Sequence, residues 1–207
     1  MKKYFVEFIG TFFLVFTVGN TLIAPGAGAL APLAIGASLM VMIYAGGHIS
    51  GGHYNPSVTL AVWIRGRCET RDVVPYWLAQ IAAAFVAAWL VHFIKPPGSG
   101  EPLPIGWKAA LLVEFLFTFA LCWVVLNVAT AKPNHGNSFY GLAIGMTIMV
   151  GAYAVGGVSG GAFNPAVATG ISLMGISYWH NYWVLIVGEI AGAIAAATAY
   201  NLANGPD

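Results

Sequence analysis

The chain has 207 residues, of which only 15 are acidic or basic, while 59% are hydrophobic; mean hydropathy is +0.79. Soluble domains carry roughly 25% charged residues, so this composition argues against a soluble globular enzyme and against a disordered chain. A net charge of +1 offers no field for nucleic acid, and the long apolar stretches point to a membrane.

The first stretch follows Lys2 and Lys3, and Ala27-Gly28-Ala29 resembles a signal-peptide cleavage site. Against cleavage, the apolar run over 4–24 is longer than a signal-peptide core. It also carries Glu7, whose counterpart reappears in mid-chain, so it is read as a retained first transmembrane helix. From residue 4 to residue 64 Glu7 is the only charged side chain. That length exceeds one crossing of roughly 20 residues, and it breaks at Pro25-Gly26-Ala27-Gly28, a turn composition. A second crossing is expected over 31–46, and the remainder, 47–64, is too short to cross. A third spans 73–94 and is ended by Lys95-Pro96-Pro97-Gly98. A fourth covers 107–130, interrupted only by Glu114. After a turn at Lys132-Pro133-Asn134-His135-Gly136-Asn137, a fifth covers 139–156. A second short apolar piece, 157–176, precedes a sixth crossing over 182–202.

Six crossings place both termini on one side. Lys2, Lys3, Arg65, Arg67, Arg71 and Lys132 share that side, with Lys95 and Lys108 opposite. The excess of basic residues marks the first side as cytoplasmic. Tyr4, Trp107, Tyr178, Trp179, Tyr182 and Trp183 at span ends fit an interfacial belt. The chain is expected to be an integral protein of the cell membrane.

The chain repeats internally. At an offset of 109, residues 33–56 match 142–165 at 14 of 24 positions, and both copies contain Ser-Gly-Gly-x-x-Asn-Pro, at Ser50–Pro56 and Ser159–Pro165. At an offset of 107, Val6-Glu7-Phe8 matches Val113-Glu114-Phe115. The repeats are 1–95 and 107–207 within one transmembrane channel domain. Each contains three crossings, an odd number, so the two lie in opposite orientations. That is the inverted-repeat plan of many transport proteins, with a site at the repeat interface near the midplane.

Asn is a preferred N-cap and Pro a preferred first helical residue, so Asn55-Pro56 and Asn164-Pro165 should each start a helix. About ten residues reach roughly 15 Å, half of the hydrocarbon thickness. Two half-helices would then meet N-terminus to N-terminus, preceded by extended Gly51-Gly52 and Gly160-Gly161. Irregular backbone at membrane depth must line a cavity or be buried in protein. The expected lumen has carbonyl rows over 46–54 and 155–163, and two Asn NH2 groups facing it. The fold class is all-α: six transmembrane helices plus two re-entrant half-helices.

These residues resemble the aquaporins of the major intrinsic protein family over essentially the whole chain. Gly47 to Thr59 resembles the first pore loop, with Ser57 where Ala is usual, and Asn164-Pro165-Ala166 resembles the second. The resemblance implies a pore in each protomer, a homotetramer, and loop-bracing roles for Glu7, Glu114 and Gln80. It also places a constriction at Ile35, Ala152, Gly161 and Val167, where narrow water-selective members typically include an aromatic, a His and an Arg. None of these types stands at the four positions, which implies a wide apolar filter; Tyr153 or Phe163 filling the gap is the alternative. Glu189 aligns with Gln80 where small residues or Pro are usual, and it reads either as a further loop brace or as a proton carrier.

Cys68 and Cys122 are expected as free thiols, with no metal site and no cofactor. His48 and His53 are expected to bond loop backbone, and His135 and His180 to lie near the cytoplasmic and external ends. The leading functional reading is a passive channel for water and small uncharged solutes such as glycerol, urea, ammonia or hydrogen peroxide. The alternative is a proton-coupled secondary transporter using Glu189. No nucleophile–base pair or phosphate loop suggests an enzyme.

Overall fold

The computed structural model of the chain describes residues 1–95 and 102–205. The expected turn at Pro96-Pro97-Gly98 lies outside them. Eight helices carry the described residues: α1 (Lys2–Leu22), α2 (Ala31–Ser50), α3 (Pro56–Ile64), α4 (Thr70–Ile94), α5 (Trp107–Val125), α6 (Tyr140–Ser159), α7 (Pro165–Leu173) and α8 (Tyr182–Asn204). There is no strand among these residues. α5 continues as a π-helical turn over Leu126–Thr130. Six helices are long and apolar enough to cross a membrane, and α3 and α7, nine residues each, are not.

The packing follows the repeat. α1 lies along α4 and α5 along α8, the same pair in each half. Each half-helix then reaches into the other repeat: α3 packs on α8, and α7 packs on α4. α2 and α6 cross at the axis relating the halves. The crossing is close because glycines meet there. A Cβ added to Gly36 would lie 2.6 Å from the Gly145 carbonyl, and one added to Gly145 would lie 2.5 Å from the Gly36 carbonyl. Small residues at such crossings let backbones approach in a solvent that supplies no hydrophobic drive between helices.

Two expectations change. α2 and α6 run one turn further than the sequence suggested, to Ser50 and Ser159. The non-helical stretches therefore shrink to residues 51–55 and 160–164, and the carbonyl rows are shorter than 46–54 and 155–163. Gly51-Gly52 and Gly160-Gly161 are also left-handed rather than extended, with φ of +89°, +64°, +97° and +65°. Glycine tolerates this conformation without a Cβ clash, and it closes the helix by a C-terminal cap. The long helices' other ends differ from expectation by up to three residues.

The half-helix C-termini are also finished from the opposite repeat. Arg65, at the end of α3, lies 4.8 Å from the ring centroid of Tyr200 on α8. A cation there suits the negative end of the helix dipole. His92 of α4 bonds the Leu173 carbonyl at the end of α7 at 3.1 Å.

Candidate functional site: a membrane cavity between two half-helices

Asn55 and Asn164 each do two things. Asn55 Oδ1 accepts from the Ser57 and Val58 amides at 2.8 and 3.4 Å, capping α3. Asn164 Oδ1 accepts from the Ala166 amide at 2.9 Å, capping α7. The side-chain NH2 groups cross between repeats. Asn55 Nδ2 donates to the Phe163 carbonyl and Asn164 Nδ2 to the Tyr54 carbonyl, both at 2.9 Å. The sequence reading had both amides facing the lumen. One proton of each is instead spent on the partner loop, which leaves one per asparagine for the cavity.

This crossed pair forces Tyr54 and Phe163 into left-handed backbone, both at φ +48°. Such a conformation costs about 1–3 kcal/mol for a non-glycine residue and persists only when its surroundings over-determine it. Here they do. The Tyr54 amide donates to Glu7 Oε2 at 2.6 Å and the Phe163 amide to Glu114 Oε2 at 2.7 Å. Both rings are buried, with Tyr54 bonded to the Met42 carbonyl and Phe163 packed on Phe117.

The two glutamates hold the loops by equivalent bonds. Glu7 Oε1 accepts from Ser50 Oγ at 2.7 Å and the His53 amide at 2.9 Å. Glu114 Oε1 accepts from Ser159 Oγ at 2.6 Å and the Ala162 amide at 3.0 Å. Ser50 and Ser159 were missed as functional positions, although the registered repeat of Ser-Gly-Gly marked them. Gln80 Nε2 adds a bond to Glu7 Oε2 at 2.8 Å. Its repeat partner Glu189 does not copy this. Glu189 is fully buried beside Glu114 and the Asn164 amide, yet neither of its oxygens completes a hydrogen bond.

A cavity of about 900 Å³ runs along this arrangement. Asn55, Asn164, Ile35, Ala152, Gly161 and Val167 all lie on its wall. Pro56, Ser57, Pro165 and Ala166 form the buried first turns behind it and are not on the wall. Glu7, Glu114, Gln80 and Glu189 also stand behind the wall. Tyr153 and Lys95 line the cavity as well. The Tyr153 hydroxyl donates to the Ala29 carbonyl at 3.0 Å, and Phe163 points away into the core. Lys95 Nζ donates to the Asn20, Ile23 and Pro25 carbonyls at 2.5–2.6 Å, fastening the α1–α2 turn to the end of α4.

A second cavity of about 470 Å³ lies at the other end, lined by Lys3, Arg67, Cys68, Asp72 and His135 among others. Asp72 accepts from the Lys3 ammonium and from the Tyr4 hydroxyl, tying α1 to α4. Burial, with Asp72 nearby, pushes the Cys68 thiol upward, so it stays protonated at neutral pH. The histidines differ from expectation. His48 is exposed on α2 rather than in a loop. His53 bonds the Thr59 side chain at 3.1 Å rather than loop backbone.

Six spans, with two half-helices capped nose to nose at an embedded cavity, define a membrane channel scaffold. A model of the major intrinsic protein family matches residues 1–200. Aquaporin NIP1-4 of Oryza sativa subsp. japonica is 39% identical over 98% of this chain and 77% of its own length. Glycerol uptake facilitator protein-like 6 of Lactiplantibacillus plantarum is 39% identical over 95% of both chains. The aquaglyceroporin from Plasmodium falciparum has the same fold, with a TM-score of 0.81 at 22% identity over 97% of this chain and 95% of that one. The chain belongs to the major intrinsic protein family. It is an integral membrane channel for water and small solutes, and not an enzyme.

Proposed function

We propose that this channel has a wide, apolar outer opening that passes small uncharged solutes such as glycerol, urea, ammonia or hydrogen peroxide as well as water. The observation that carries the reading is the character of the four cavity-wall positions Ile35, Ala152, Gly161 and Val167, which lack any cationic or aromatic side chain. Arg at position 167 would narrow the passage and present fixed donors. Val167 presents only methyl groups, and Gly161 and Ala152 occupy little space. The remaining Asn55 and Asn164 amide protons offer a solute oxygen two donors at the centre, and the positive ends of α3 and α7 disfavour cations there.

Glu189 stands behind the cavity wall rather than on it, out of reach of a passing solute. That weighs against the proton-coupled alternative. A homotetramer in the cell membrane, with both termini cytoplasmic, completes the proposal. Lys3, Arg67 and His135 around one vestibule and Lys95 at the other mouth agree with that orientation.

The test is Val167→Arg in proteoliposomes, with water and glycerol permeability followed by stopped-flow light scattering. Glycerol permeability should fall much more than water permeability. Equal loss of both would overturn the wide opening.

A further inference from the structure

The two cavities share part of their walls. Among the described residues only His53 and Val125 lie on the walls of both. They sit on the Lys3 and Arg67 side of the asparagine pair, away from the four outer positions.

The two halves of the repeat differ on this side. At the offsets of 109 and 107, His53 corresponds to Ala162 and Val125 to Val18. Ala162 and Val18 both line the large cavity. The outer half therefore has a methyl group where the inner half has an imidazole ring. Val125 is also the last residue of α5 before the π-helical turn at Leu126–Thr130. Such widened turns interrupt a helix at functional sites more often than elsewhere.

The hydrogen bonds around His53 fix what it offers. Thr59 Oγ1 donates its one proton to the Asn55 carbonyl at 3.1 Å and accepts from Gln80 Nε2 at 3.1 Å. Its remaining lone pair faces His53 Nδ1 at 3.1 Å, so Nδ1 is the protonated nitrogen. Nε2 is then an acceptor without a protein partner on the cavity wall. The ring cannot swing aside, since Tyr76 packs on it edge-on at 5.1 Å and is itself tied to the Ser50 carbonyl at 2.7 Å.

We propose that His53 and Val125 form the selective constriction of this channel, on the inner side of the asparagine pair, for neutral solutes carrying both O–H or N–H and C–H faces. His53 Nε2 accepts from the solute hydroxyl or amine, and the Val125 methyl groups meet its carbon face. The inference rests on the wide outer opening proposed above, since only then does size selection move inward.

The test measures the glycerol-to-water permeability ratio of Val125→Ala and Val125→Ile by stopped flow at matched protein content. Removing two methyl groups from the tightest point should raise the ratio by about threefold or more, and adding one should lower it by a similar factor. If Val125→Ala loses water permeability through misfolding, the Ile variant alone decides. A ratio unmoved by the decisive variant, with water permeability retained, overturns the constriction. The outer opening is tested separately by Val167→Ala. A rise in the ratio there, with Val125→Ala silent, would place selection at the outer positions and sink the wide-opening reading instead.

Discussion

Glu7 illustrates how one buried carboxylate shapes the pore loop. It takes donors from Ser50, the His53 and Tyr54 amides and Gln80, so the left-handed turn at Tyr54 has no cheaper arrangement. Glu7→Ala would leave two loop amides buried without an acceptor, at about 1–3 kcal/mol each. Thermal unfolding in detergent should show a clear fall in midpoint for Glu7→Ala and a smaller one for Glu7→Gln, which keeps one acceptor oxygen. An unchanged midpoint for Glu7→Ala would contradict the bracing role. At this scale the sequence reading found Glu7, Glu114, Gln80 and both asparagines. It missed the exchange of Asn NH2 bonds across the repeats, because that contact joins loops more than 100 residues apart and follows no local pattern. It also placed His53 on backbone, since the Thr59 hydroxyl that orients it becomes visible only once α3 is built.

Asn-Pro marked both half-helix starts in the sequence because capping and proline chemistry are local. The apolar runs marked the six spans for the same reason. Where the helices preceding the loops stop was harder to see. Gly46-Gly47 and Gly156-Gly157 look like breakers, yet α2 and α6 continue through them to the serines that the glutamates hold. The tertiary bonds of Ser50 and Ser159 override the low helix propensity of glycine. The α2–α6 crossing gives an element-scale prediction. Gly145→Leu drives side-chain atoms into the Gly36 carbonyl and should abolish a monodisperse, folded species in size-exclusion chromatography. Gly157→Ala, whose Cβ meets nothing within 4 Å, should elute like the parent chain. Normal assembly of Gly145→Leu would show that the crossing tolerates separation.

The 109-residue repeat carries the architecture of the whole molecule. It predicts that whatever packs on α4 has an equivalent on α8, and the exchanged contacts of α7 and α3 satisfy this. Function enters where the repeat is broken, at His53 against Ala162 and at Gln80 against Glu189, and at one place where it is kept, with Val58 and Val167 after the two Asn-Pro motifs. The first difference puts an imidazole ring on the cavity wall where the other repeat has a methyl group, and the shared valine leaves position 167 apolar. The second leaves a buried acid with no completed hydrogen bond, the feature on which a proton-coupled mechanism would depend. Converting it to the residue of the other repeat, Glu189→Gln, should supply to Glu114 the donor that Gln80 supplies to Glu7. The most direct measurement is solute-driven swelling of proteoliposomes bearing the parent chain and Glu189→Gln, with and without an imposed pH gradient. The account predicts non-saturating water and glycerol flux, with low activation energy, indifferent to the gradient and retained in Glu189→Gln. Saturable uptake that follows the pH gradient and vanishes in Glu189→Gln would contradict it.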